Sequence, residues 1–152
     1  EYADENRIAS NIIDNFHTGF MIECLIDCDK YISSFNVKRN IQRGVDFYVK
    51  NLLLDESIPK MTPDNIYPID IHSCAQMIIT LTKHSEVNTE YLNISRKVAF
   101  WTIKNMQDKK GFFYYRFYRW MVDKTPYIRW GQAWMLFALS SLYKMHTKYL
   151  IN

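Results

Sequence analysis

The sequence predicts an all-α fold of repeated αα-hairpins, with a short β-ribbon near residues 112–128, and three observations carry that expectation. Apolar residues recur at helical spacing over most of the 152 residues, and 48% hydrophobic content is enough to bury a single core. The segments 16–22, 71–79 and 127–139 are weak copies of one another: aligning His17, His72 and Trp130 also brings Ile26, Leu81 and Leu139 into register. A second set, 43–52 and 97–106, superposes at nearly the same offset, so the chain repeats about every 55 residues. A hairpin of that length cannot bury its apolar face alone, which implies stacking of like units.

Taken in order, residues 1–14 mix Glu1, Asp4 and Glu5 with Ile8, Ile12 and Ile13, and are expected to form a lead-in whose apolar side docks on the body. Phe16, Phe20, Met21, Cys24, Leu25 and Cys28 then predict an inner helix over 15–28, capped by Asp14 or Asn15. Ser33, Ser34 and Asn36 interrupt it. Ile41, Val45, Tyr48, Val49 and Leu52, with Lys38, Arg39, Arg43 and Lys50 outside, predict an amphipathic outer helix over 37–54. Pro59, Pro63 and Pro68 make 55–68 a loop. Asp70 can cap a third helix, 71–84, which is apolar nearly all round and therefore expected to be buried. A turn at 85–89 leads to a fourth helix over 91–107, ended by Gly111 in a left-handed cap. The run Phe112 to Trp120 is too aromatic and β-prone for a helix and predicts a two-stranded ribbon before a fifth helix over 130–146, with a frayed 147–152.

Composition narrows function without naming it. The net charge of +3, from 19 basic and 16 acidic residues without long blocks, gives no electrostatic footprint for nucleic acid. No run reaches the ~18 apolar residues of a membrane span and no signal peptide opens the sequence, so a cytoplasmic protein with no membrane partner is expected. Cys24, Cys28 and Cys74 sit in apolar helical runs and read as buried free thiols. His17, His72, His84 and His146 have no close pairing with carboxylates, so neither a metal nor another cofactor is expected. The 16% aromatic content suits either a core or a site where flat, partly polar ligands such as sugars stack.

The inner and outer helix alternation, together with Asn105-Met106-Gln107-Asp108-Lys109-Lys110-Gly111-Phe112-Phe113, resembles the α/α toroids. These include six-hairpin glycosidase-like proteins and the terpenoid cyclase and prenyltransferase toroids. Ile58-Pro59-Lys60, Tyr67-Pro68-Ile69-Asp70-Ile71-His72-Ser73 and Tyr127-Ile128-Arg129-Trp130-Gly131-Gln132-Ala133-Trp134 are similar to bacterial members of the first kind, found near surface-polysaccharide genes. The cyclase branch is disfavoured, because its aspartate-rich and zinc motifs are missing here. A full toroid has about six hairpins and this sequence holds roughly three. The resemblance therefore implies one helical-hairpin domain over 1–152, the C-terminal part of a larger toroid or a half that pairs with a second copy.

In such toroids the loops entering the inner helices converge on a ligand cleft. The resemblance thus places His17, Tyr67, Asp70, His72, Arg116, Arg129, Trp130 and Gln132 near one another, with Tyr114 beside them. Asp70 and His72 are the candidate general acid and base. For a uronic-acid-containing saccharide, Arg116 or Arg129 would grip the carboxylate and Trp130 would stack on the ring, with His17, Tyr67 and Gln132 completing the contacts. Against this, Asp70 reads better as a helix cap and Trp134 as core, while for His72, Arg129 and Trp130 the structural and functional readings stand level. Two-carboxylate hydrolysis would have to draw on Asp14, Asp70 and Glu23, two of them at helix starts. The functional expectation is a carbohydrate-active protein that binds or modifies a saccharide in polysaccharide metabolism and, if an enzyme, is a glycoside hydrolase, lyase or epimerase-like one. The alternative is a non-catalytic helical-repeat module for interaction or homo-oligomerisation.

Overall fold

The computed structural model describes residues 13–32 and 34–151, and within them five α-helices dominate. Helices α1 (Asn15–Ile32) and α2 (Phe35–Leu52) form the first hairpin and α3 (Ile71–His84) and α4 (Glu90–Met106) the second, and α5 (Trp134–Ile151) follows as a single helix. Helix α3 packs against α1, α4 and α5, while α2 packs against α1. The predicted alternation of inner helices (α1, α3, α5) and outer helices (α2, α4) is the observed one. The lead-in expected over 1–14 lies outside the described residues except for Ile13 and Asp14, which precede α1 without regular structure.

The middle of the inner row is the core. Every residue of α3 except Lys83 is buried, which is why its sequence is apolar nearly all round. Tyr48, Leu52, Val98, Met106 and Met135 from the neighbouring helices close on Met77, Ile78 and Leu81. Two polar ties fix the packing. Thr82 Oγ1 and Ser95 Oγ lie 2.8 Å apart between α3 and α4. Asn15, fully buried at the start of α1, donates to the carbonyls of Leu52 and Lys60 at 2.9 Å each and accepts from the Tyr48 hydroxyl at 2.8 Å.

Several boundaries differ from expectation for local reasons. Ser34 accepts from Val37 N and starts α2 two residues before the predicted 37. The 55–68 loop begins with a hairpin: β1 (Leu53–Leu54) pairs antiparallel with β2 (Ile58–Pro59). Asp55 and Glu56 carry it round at φ 50° and 55°, the left-handed pair of a primed turn. The aromatic ribbon exists as β4 (Arg116–Phe117) and β5 (Val122–Asp123), and gains a third strand, β3 (Ile69–Asp70), beside β4. Gly111 is left-handed at φ 95°, as expected. Helix α5 runs on through Ile151, and a π-helical turn, Ile128–Ala133, stands where its first turn was placed. Cys74 is buried, but Cys24 and Cys28 are exposed, because α1 turns only Asn15, Gly19 and Ile22 fully inward.

Candidate functional site

A cavity of about 440 Å³ opens where the starts of α1 and α3 meet the β3–β4 pair and the π-helical turn. Each wall has a local cause. At α1, Asp14 Oδ1 accepts from His17 N at 2.8 Å as an N-cap, and Oδ2 lies 2.7 Å from His17 Nδ1. One carboxylate thus starts the helix and orients the imidazole, leaving Nε2 as the nitrogen free to face a ligand. At α3, Asp70 Oδ1 caps the helix through His72 N at 2.9 Å, and Oδ2 accepts from Arg116 Nε at 2.7 Å. The register that sets Asp70 opposite Arg116 comes from the β3–β4 pairing, which continues as Ile71 N donating to Tyr115 O at 3.1 Å.

On the α5 side, Gly131 N and Gln132 N both donate to Tyr127 O, widening the turn so that Trp130 stands at the cavity mouth, 55% exposed. A Cβ on Gly131 would come within 3.3 Å of Ile71, so the absent side chain lets this turn lie close on the start of α3. Tyr115 and Tyr127, edge to face at 4.8 Å, and Met61 complete the lining.

His72 is the focus of the cavity. Its ring lies 3.8 Å from Phe16, 4.7 Å from Trp134 and 5.6 Å from Trp130 between centroids. Its Nε2 is buried and has no hydrogen-bond partner among the described residues. Burial holds its pKa below the ordinary histidine value of 6.5; the Asp70 carboxylate opposes that shift and His17 adds to it. The result is a neutral imidazole with an open nitrogen in an aromatic wall. For Arg116, burial is the largest single influence and works against the charge, but the hydrogen bonds to Asp70 and Tyr118 and the Asp70 charge together outweigh it and leave the pKa above the ordinary arginine value.

The sequence-predicted residues separate into groups. His17, Asp70, His72, Arg116 and Trp130 share the cavity. Asp70 has both oxygens engaged, which suits a positioning group better than a proton carrier. Gln132 is tied to strand backbone: Oε1 accepts from Phe113 N and Nε2 donates to Phe113 O, both at 2.8 Å. Tyr67 stacks on Phe117 at 6.4 Å, away from the lining, and Arg129 is exposed outside it. Tyr114 is bonded to Asp108 at 3.0 Å. Glu23, deep in α1, accepts from Gln76 and Lys83 and is not part of the cavity. Sequence reasoning missed Asp14 as the partner of His17, although Asp-x-x-His at a helix start is a readable capping pattern. It also missed Phe16 and Tyr115, which carry no such mark. Among the described residues, no group of three or more His, Cys, Asp or Glu side chains could hold a metal ion.

No family model matches the chain, and no curated protein matches it. Among solved structures, it is similar to the crystal structure of a sugar epimerase from a ruminal bacterium, with TM-score 0.69 and 14% identity. The match covers 87% of this chain and 39% of that one, so the chain spans about two fifths of the neighbour's length. At that identity the likeness is one of fold.

Proposed function

We propose that the cavity is a saccharide site of an α/α-toroid protein and that its chemistry is proton transfer beside a sugar carbonyl, as in an epimerase. The observation that carries this reading is His72: an imidazole that burial keeps neutral, lining an aromatic-walled cavity shared with His17, with a buried Nε2 that bonds to no group among the described residues. Epimerisation at the carbon next to a carbonyl needs one group to take a proton and another to return it on the opposite face of the enediolate. Neutral His72 is suited to take it, and His17, oriented by Asp14, to return it from across the Phe16 ring. Asp70 and Arg116 then position the start of α3, with Arg116 and Trp130 offering a charge and a stacking face to the sugar. A solved sugar epimerase with a similar fold supports the same class. Hydrolysis is less well supported, since it needs two free carboxylates and both oxygens of Asp70 are already engaged.

The test is exchange of substrate hydrogen with deuterated water. Reducing sugars and uronic acids incubated with the protein in D₂O should gain deuterium at the carbon beside the carbonyl. His72→Ala should lower the rate by about 10²–10⁴, the usual worth of such a group. Exchange that persists unchanged in His72→Ala and His17→Ala would rule out this chemistry.

A second reading, self-association, is favoured by one observation: Leu136 and Tyr143 on α5 and Phe20 and Met21 on α1 are exposed, leaving both ends of the inner row apolar. Its test is the mass of the protein in solution.

A further inference from the structure

The tip of the β4–β5 hairpin departs from what a tight turn favours. Tyr118 N donates to Met121 O at 2.8 Å to close it, yet Tyr118, Arg119, Trp120 and Met121 include none of the Gly, Asn, Asp or Pro residues that stabilise such turns. Trp120 is 86% exposed and Met121 62%. Local folding does not call for a tryptophan there, and exposing one costs solubility, so its use lies in what it meets. Arg119 lies over the Trp120 ring at 5.0 Å, presenting a cation and an aromatic face together.

This tip adjoins the cavity. Arg116, which lines it, is three residues before Arg119, about 10 Å along an extended strand. The other strand leads to Lys124, whose Nζ sits 5.3 Å over the Tyr114 ring, and then to Arg129 beside Trp130. Among the described residues Arg119, Lys124 and Arg129 form no ion pair. Two carboxylates stand near the strands: Asp123 accepts from Thr125 N and feels Arg116, and Asp108 accepts from Lys110 N and Tyr114 Oη and feels Lys124. The rim therefore offers cations without direct ion pairs among the described residues, interleaved with aromatic faces, beside a cavity large enough for only part of a long ligand.

We infer that this rim binds the continuation of an acidic glycan whose end residue occupies the cavity. The ligand class is then an oligosaccharide carrying carboxylate or sulfate groups, its rings stacking on Trp120 and its anions meeting Arg119, Lys124 and Arg129. The inference rests on the saccharide reading of the cavity. A single-stranded nucleic acid shares the anion and stacking chemistry, but it would give no role to the small cavity with two imidazoles from which this hairpin extends.

Calorimetric titration of galacturonic acid, its oligomers of two to six units, neutral cello-oligomers and oligo(dT) separates the possibilities. Affinity for the uronate series should rise about tenfold or more with length, weaken with salt, and lose that gain in Trp120→Ala and Arg119→Ala while the monomer binds as before. Both positions are exposed, so the variants should keep the parent's circular dichroism. Monomer binding without a length gain would overturn the rim and leave the cavity reading standing. A hexamer bound through Trp120 with no monomer bound, and unaffected by Trp130→Ala, would leave the rim standing and sink the cavity reading. Equal gain for cello-oligomers, or tighter oligo(dT) binding lost in Trp120→Ala, would overturn the acidic-glycan assignment, and no binding by any probe would overturn both.

Discussion

Two histidines make the fold pH-sensitive at the level of single side chains. His72 and His84 are both buried, and burial lowers both pKa values, with Asp70 and Asp46 respectively opposing the shift. His84 Nε2 meets Gln42 Oε1 at 3.2 Å, while His72 Nε2 has no hydrogen-bond partner among the described residues. A folded pKa below the unfolded value means the unfolded chain takes up protons first on acidification. Stability is therefore fully present above the ordinary value of 6.5 and falls as pH drops through the folded values. The thermal midpoint should decrease between about pH 7.5 and pH 5, and His84→Gln should flatten that dependence; a midpoint rising on acidification would contradict this account. Residues differed in how far the sequence revealed them. Asp70 as a cap was legible because its partner is two residues away, and Gly111 because its turn is local. The grip of Arg116 on Asp70 was not, since a strand register 46 residues later creates it.

Among elements, α3 was read correctly from end to end: a capping aspartate, an unbroken apolar run and a polar turn all agree, and burial on every side leaves the helix no alternative. Of the two-residue strands, β4 and β5 fall in the ribbon that the aromatic run predicted, whereas β1, β2 and β3 were invisible, because so short a strand has no periodicity to detect. Helix α1 misled because its apolar residues surround it, yet few are fully buried. Its contact face is set by Gly19 instead. A Cβ there would lie 2.5 Å from the Tyr48 hydroxyl oxygen and 2.8 Å from Gln76, so Gly19→Ala should destabilise the protein by about 1–3 kcal/mol as α1 is pushed from α2 and α3. Denaturant unfolding checks this, and a change within about 0.5 kcal/mol would mean the helices accommodate the methyl group.

For the whole molecule, repetition was the most informative sequence signal, since it implied an inner row flanked by outer helices before any contact was known. What repetition does not determine is what lies beyond the ends of the row. If a second copy covers them, light scattering should give twice the chain mass, and Leu136→Asp with Tyr143→Asp should return it to one. A monomer at all concentrations would discard self-association and leave these faces to further repeats.

His72 lies in the first turn of the helix that every other inner element leans on. Backbone amides in so enclosed a helix exchange with solvent only when much of the molecule opens, whereas hairpin tips and edge helices open locally. The nitrogen assigned to proton transfer is thus carried by the slowest-breathing part of the chain. If the cavity takes a ligand, the elements through which it would enter are the β4–β5 hairpin and the π-helical turn at its edge.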